Sequence, residues 1–222
     1  MGAVYPCPLC GGTAGFFVAL PARPVYACPQ CELRFVPEPW HVSPQQERAR
    51  YELHRNSLED GGYVCFLQPA IDALARHLRR GGEGEGPRSP GTILDYGSGP
   101  TPVLVELLNR AGFQAVAYDP FFAPDADLSH RFAAVISTET FEHFRRPRLE
   151  LDRLVGLLNP GGLLVVLTAL WTPERDFRKW PYANDETHIA FYSGATFDFM
   201  AATRGLYVVE TNGKDLVVAV RR

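Results

Sequence analysis

The sequence predicts an α/β fold, a mostly parallel sheet with helices packed on it, behind a small cysteine-rich unit. Three observations predict it. From Thr92 onward short apolar runs alternate with amphipathic ones, the pattern of strand–helix–strand units joined in parallel. One run, Ile93-Leu94-Asp95-Tyr96, passes into Gly97-Ser98-Gly99-Pro100 and then into an amphipathic segment opened by Pro102, so strand, glycine turn and helix follow directly. Before residue 41, two Cys-x-x-Cys pairs stand in a stretch rich in proline and aromatics.

The elements follow in order. Residues 1–40 carry short strand-like pieces around the cysteines. Residues 41–91 form a helical connector and linker: Ile71, Leu74, Ala75 and Leu78 have helical spacing, and Gly81–Gly91 is a Gly/Glu/Pro loop. Residues 92–222 hold the sheet, with strands at Thr92–Tyr96, Phe113–Tyr118 and Phe132–Ser137. Between Asp119 and Arg131 there is too little chain for a helix and a further strand, so the edge strand there is short or missing. A helix over Leu149–Leu158 stops at Asn159-Pro160-Gly161-Gly162, and a strand over Leu163–Thr168 follows. Ala169–Ser193 has no clear period, and a loop of that length is usually functional or mobile. A helix over Gly194–Arg204 and two strands joined by Asn212-Gly213, an antiparallel hairpin signal, complete the pattern.

Composition narrows the function. The 222 residues, 46% hydrophobic, can bury the core of one α/β domain plus an appendage. A net charge of −3 supplies no global field toward nucleic acid, and the local basic runs, such as Arg145-Arg146 with Arg148, read as solvated faces. No apolar run is long enough to span a bilayer. Five cysteines without a visible export signal argue for a reducing, cytoplasmic setting. Cys65, the odd one, reads as a small buried apolar residue.

Cys7, Cys10, Cys28 and Cys31 form two matched knuckles whose spacing suits a tetrahedral zinc ion with a full coordination sphere, hence a structural one. A dithiol redox pair fits two matched knuckles poorly. The unit resembles a zinc ribbon.

Gly97 and Gly99 let a ligand approach the backbone beside the free N–H groups of a helix start. Asp119, at the end of the next strand, is placed to hold ribose hydroxyls. A dinucleotide fingerprint would need a third glycine where Pro102 stands. The motif instead resembles motif I of class I S-adenosylmethionine (SAM) methyltransferases, acid-x-Gly-x-Gly, and the terminal hairpin is similar too. That resemblance covers about residues 60–222. It implies a Rossmann-like sheet and SAM as cofactor at Asp95, Gly97, Gly99 and Asp119, with Tyr63 and Glu139 nearby and Asp127-Leu128 at the adenine.

Glu139, Glu142 and His143 stand where a strand ends, the side of an open α/β sheet that faces the ligand crevice, and His188 stands in the long loop. If a helical turn begins there, Glu139 and His143 share a face. The pattern Glu-x-x-Glu-His plus a later histidine is similar to small-RNA 2′-O-methyltransferases and, in its first part, to ubiquinone-pathway O-methyltransferases. That likeness implies a divalent cation held by Glu139, Glu142, His143 and His188. In related SAM-dependent proteins without a metal, His143 would be a general base. Phe121, Phe122, Trp171, Trp180, Tyr182, Phe191 and Tyr192 surround the expected mouth and read as core and lid packing, with stacking on a flat substrate as the alternative, and Tyr182–Thr196 reads as a lid that delivers His188. The expectation is a SAM-dependent methyltransferase acting on a small-molecule hydroxyl. An RNA methyltransferase guided by the ribbon and a non-catalytic binding module on the same fold are the alternatives.

Overall fold

A computed structural model describes residues 3–53, 56–78 and 91–222. In chain order its elements are β1 (Tyr5–Pro6), β2 (Thr13–Ala19), β3 (Pro24–Ala27), β4 (Arg34–Phe35), α1 (Pro44–Tyr51), α2 (Gly61–Leu78), β5 (Ile93–Tyr96), α3 (Val103–Arg110), β6 (Ala115–Tyr118), β7 (Phe132–Thr138), α4 (Pro147–Leu157), β8 (Leu158–Leu167), α5 (Pro181–Asn184), β9 (Ala190–Phe191), α6 (Gly194–Thr203), β10 (Leu206–Thr211) and β11 (Leu216–Arg221). Of the linker read at Gly81–Gly91, only Gly91 lies within the described residues.

The larger sheet has the order β10-β11-β8-β7-β5-β6. Its four strands β6, β5, β7 and β8 run parallel, and β11 and β10 add antiparallel. β6 is the edge, so the strand expected to be short is absent among the described residues. Successive side chains alternate between two cores, as a pleated strand buried on both faces requires. Ile93, Ala134, Ile136, Val165, Leu167 and Val218 face α2 and α3. Leu94, Val135, Leu164, Val166, Val217 and Ala219 face α4 and α6.

Local chemistry sets the element ends. Ser43 makes a capping box with Gln46 at the start of α1, and Ser193 makes one with Thr196 at the start of α6, each stabilising by about 1 kcal/mol. Asn159–Gly162 falls inside β8 as an irregularity, because Phe132 pairs with Leu158 and Ala134 already with Leu163. Cys65 departs from expectation: it is exposed on α2 rather than buried.

The smaller sheet, β1-β2-β3-β4-β9, belongs to the cysteine unit, except that its last strand comes from the long loop. β4 and β9 pair antiparallel through Arg34–Phe191 and Phe35–Ala190. The loop is therefore not structureless. Trp171, Phe177, Trp180 and Phe191 pack with Val18, Val25 and Val36 of the N-terminal unit in a third core. The unit's other side, with Leu9, Leu33 and Phe35, shares a core with Phe141, Tyr192 and Phe197 of the main sheet's α6 side.

Candidate active site

A cavity of about 1040 Å³ opens at the carboxyl ends of β5, β6 and β7. Its first wall is the glycine turn. Gly97 and Gly99 have φ of +89° and +67°, in the left-handed region that glycine enters without penalty. Gly97 has no room for a side chain either, since a Cβ there would lie 2.3 Å from Thr140 Oγ1. The N–H groups of Gly97 and Ser98 donate to Tyr118 O, and that of Gly99 donates to Asp119 Oδ2 at 3.0 Å. Asp119 Oδ1 accepts from the N–H groups of Phe121 and Phe122.

Asp95 lines this wall and is buried, with Oδ1 lacking a hydrogen-bond partner among the described residues. Burial, and then the Asp119 charge, push its carboxyl up to about 7. Tyr63 lies in the first turn of α2 and also lines the cavity, its phenol pushed up to about 12 by burial and then by Asp95 and Glu139. Asp127 and Leu128 do not reach the cavity. Asp127 is exposed, and its carboxylate accepts from Ser129 N–H, while half-buried Leu128 packs against the core. The short β6–β7 connection holds both away from the crevice.

The second wall begins where β7 ends. Glu139 has a φ of +49°, and its N–H donates to Leu167 O at 2.8 Å. A 3-10 turn over Phe141–His143 follows, so the α-helical face expected for Glu139 and His143 does not form. Instead Glu142, His143 and His188 each offer one ligand atom, all within 4.8 Å of one another, and Glu139 stands outside that group. Glu139 still lines the cavity, its carboxyl pushed up to about 9 by burial and then by Glu142 and Asp215.

Glu142 is fully buried behind the two histidines. Its Oε2 accepts from Thr168 Oγ1 at 3.0 Å, and its Oε1 has no partner among the described residues. His143 Nδ1 lies 3.0 Å from Thr187 O, and His188 Nδ1 lies 2.8 Å from Tyr182 O. A carbonyl oxygen only accepts, so each Nδ1 carries a proton, which leaves Nε2 as the position for a ligand or a second proton. Burial above all holds the His188 pKa below its ordinary value, which favours the neutral ring.

The connector contributes residues that the sequence reading passed over. Tyr51 of α1 donates to Glu47 Oε1 at 2.8 Å, and its ring meets the His143 ring edge-on at 5.1 Å. Arg145, read as part of a solvated run, donates to Glu47 Oε2 at 2.9 Å and lines the cavity. Asp185 lines it as well, accepting from the Thr187 N–H and hydroxyl and from Arg50. Burial pushes the Asp185 carboxyl up, but the Thr187 hydrogen bonds outweigh that and hold it well below the usual range. The Ser43 cap was the visible signal for α1; nothing local marked its inner face as site-lining. Of the seven aromatics expected at the mouth, Phe121 lines the cavity, whereas Trp171, Trp180, Phe191 and Tyr192 are core residues.

The four N-terminal cysteines also converge. Cys7 and Cys31 sulfurs lie 3.5 Å apart, Cys10 and Cys28 sulfurs 3.4 Å apart, and all four fall within 4.8 Å. A disulfide needs about 2.05 Å, whereas a tetrahedron with metal–sulfur bonds of about 2.3 Å puts sulfurs about 3.8 Å apart. The knuckles match each other: Gly11 and Glu32, each just after the second cysteine, have φ of +81° and +57°. Gly12 N–H donates to Cys10 Sγ, and a Cβ on Gly12 would lie 3.3 Å from that sulfur.

A doubly flanked, mostly parallel sheet with a glycine turn and acids at its carboxyl ends is the α/β architecture that binds nucleotide-type ligands at that edge. The family model described as methyltransferase domain matches residues 66–211, and the chain belongs to that family. No curated protein sequence matches the chain at a significant level. Solved structures share the fold at low identity. The 1,6-didemethyltoxoflavin-N1-methyltransferase of Burkholderia thailandensis is 15% identical, with a TM-score of 0.56 over 94% of this chain and 98% of that one. DesVI of Streptomyces venezuelae is 16% identical, with a TM-score of 0.52 over 82% of this chain and 100% of that one. The chain spans 56% of an O-methyltransferase family protein from Burkholderia thailandensis, which is 15% identical with a TM-score of 0.49 over 70% of this chain. Among the described residues no helix is long and apolar enough to cross a membrane.

Proposed function

We propose that this methyltransferase moves a methyl group from SAM to a hydroxyl of a small molecule. The observation that carries the reading is one cavity holding both the Asp95–Gly97–Gly99–Asp119 wall and the two histidines of the Glu142–His143–His188 group. SAM supplies an activated methyl on a positively charged sulfur. Asp95, whose buried Oδ1 lacks a partner among the described residues, gives that cation an acidic seat, Asp119 stands to take the ribose hydroxyls, and Gly97 lets the donor approach the backbone. Tyr63 and Glu139 flank the same seat, and Asp127 and Leu128 take no part in it.

On the facing wall, Glu142 and the two free Nε2 positions match a donor set for a divalent cation with open positions. Both imidazoles already give their other N–H to a backbone carbonyl, which is how metal-binding histidines are oriented. Such a cation would lower the pKa of the acceptor hydroxyl. Glu139 lies outside this set. Without a cation, His143 Nε2 accepts the hydroxyl proton as a general base. In either case the residues mainly align oxygen and methyl for in-line displacement.

A net charge of −3 favours a small acceptor over RNA, because it supplies no global field toward phosphates. Zinc at Cys7, Cys10, Cys28 and Cys31 completes the reading, with a structural role.

Labelled-methyl transfer from SAM into fractionated small-molecule extract, with and without chelator, tests it. Transfer lost on chelation and in His143→Ala and His188→Ala supports the cation. Transfer indifferent to chelator but lost in His143→Ala supports the base alone. No SAM binding and no transfer defeats the reading.

A further inference from the structure

We propose that Arg23, at the turn between β2 and β3, is a positioning residue for the acceptor wall, holding the backbone that carries Thr187 and His188. The proposal rests on the reading of Glu142, His143 and His188 as the acceptor-side group. Arg23 is 7% exposed, and its guanidinium is spent on backbone: Nη1 donates to Glu186 O at 2.5 Å, and Nη2 donates to Ala183 O at 3.0 Å and to Asp185 O. Those carbonyls lie in the last turn of the short helix α5 (Ala183) and just after it (Asp185 and Glu186). Without the fork, Ala183 O, on a fully buried residue, would lose its donor, while Asp185 O would keep only the His188 N–H.

The same few residues meet the acceptor group on their other side. Thr187 O takes the His143 Nδ1–H, and Ile189 N–H donates to Glu142 O at 2.7 Å. The backbone from Ala183 to Ile189 is thus gripped by Arg23 on one side and by the acceptor group on the other. The grip is doubled further along the chain. Val36 N–H donates to Ile189 O at 2.9 Å, and β4 pairs with β9 just beyond. His188 is therefore fixed from both directions in sequence by the cysteine-bearing unit, which makes that unit a structural part of the acceptor site. Lysine could replace the charge of Arg23 but not its planar fork across three carbonyls.

The test uses the full chain as wild type, Arg23→Ala and Arg23→Lys, with three readouts: nitrogen-15 NMR of the histidine rings, Mn²⁺ affinity by electron paramagnetic resonance, and S-adenosylhomocysteine affinity by calorimetry. Arg23→Ala should convert single tautomers at His143 and His188 into mixtures and weaken Mn²⁺ by about 10–100-fold, the usual effect of losing an outer partner of a metal site. S-adenosylhomocysteine affinity should stay within about threefold, and Arg23→Lys should fall between the two. Should Arg23→Ala fail to fold, Arg23→Lys carries the same readouts. Wild-type tautomers and Mn²⁺ affinity in the folded variants would overturn the proposal, as would a parallel loss of S-adenosylhomocysteine binding. A wild type that takes no Mn²⁺ defeats the cation reading alone, and the tautomers still decide the role of Arg23.

Discussion

Asp95, Gly97, Gly99 and Asp119 reach the cavity from the ends of two neighbouring parallel strands, β5 and β6, and the turn is tied to β6 by Gly97 N–H to Tyr118 O and Gly99 N–H to Asp119 Oδ2. His143 and His188, with Glu142 buried behind them, reach it from the end of β7 and from a loop held by the first forty residues of the chain. The wall proposed for the methyl donor, here the donor wall, is built from local chain and the sheet itself. The wall proposed for the acceptor, here the acceptor wall, is built from long-range contacts. A turn between parallel strands is specified by which residues tolerate φ above zero, so it has few solutions. The acceptor wall depends on how three distant segments pack, so it can vary without disturbing the donor wall.

The largest expected break is in the donor wall. Gly97→Ala combines a left-handed φ with a Cβ inside contact distance of Thr140, so stability should fall by about 3 kcal/mol or more. Urea midpoints and S-adenosylhomocysteine calorimetry check it, and a variant with wild-type values would show that the turn is not fixed as described.

Next is the cysteine unit. Cys31→Ser removes one of the four sulfurs of the proposed zinc site, and loss of that site should lower Tm by roughly 10 °C, given about 2–4 °C per kcal/mol in a chain of this size. Zinc content by atomic absorption should fall in step. If donor binding survives in the folded fraction while methyl transfer is lost, the two walls separate as the contacts imply.

His143→Ala should reduce kcat about 10²–10⁴-fold with the SAM Kd unchanged, the range expected for a removed acid–base group. A rise in Kd instead of a fall in kcat would move His143 to the donor wall.

A smaller effect is the pH dependence of donor binding. The Asp95 carboxyl is held up to about 7, and a cation beside it favours the ionised form. SAM affinity should therefore weaken as pH falls below 7, by at most about tenfold per pH unit, with proton release measurable by calorimetry in buffers of different ionisation heat. Stability runs the other way. An acid whose folded pKa is raised stabilises the folded state fully below its unfolded value and loses that contribution as pH rises through the folded one. The unliganded protein should thus gain stability from Asp95 as pH falls from about 7 toward 4, and a flat affinity profile would remove Asp95 from the seat. The smallest effect belongs to Asp127→Asn, which should leave SAM affinity within twofold, because the side chain is exposed outside the cavity.

This division also explains what could be read from sequence. The alternation of strands and helices, the missing edge strand and the glycine turn are local patterns, and each strand lies within a few residues of its expected position. Asp127 misled because adjacency to a strand says nothing of which way a short connection turns. Glu139 misled because an i, i+4 spacing shares a face only in an α-helix, and a left-handed residue followed by a 3-10 turn breaks it. Glu47, Tyr51 and Arg23 carry no local mark at all. Their role appears only when α1 folds across His143 and the β2–β3 turn meets Ala183–Glu186.

β9 is two residues long, yet it determines where this chain can grow. Arg34 faces Phe191 and Phe35 faces Ala190, with His188 two residues before the pair. Moving that pairing by one residue would turn Phe191 from its core toward the opposite face and pull His188 about 3.3 Å along the strand direction. Length changes within the exposed residues 173–176 leave that count intact, whereas a single residue added or removed between His188 and Phe191 does not. The loop is elastic in length at its beginning and counted at its end.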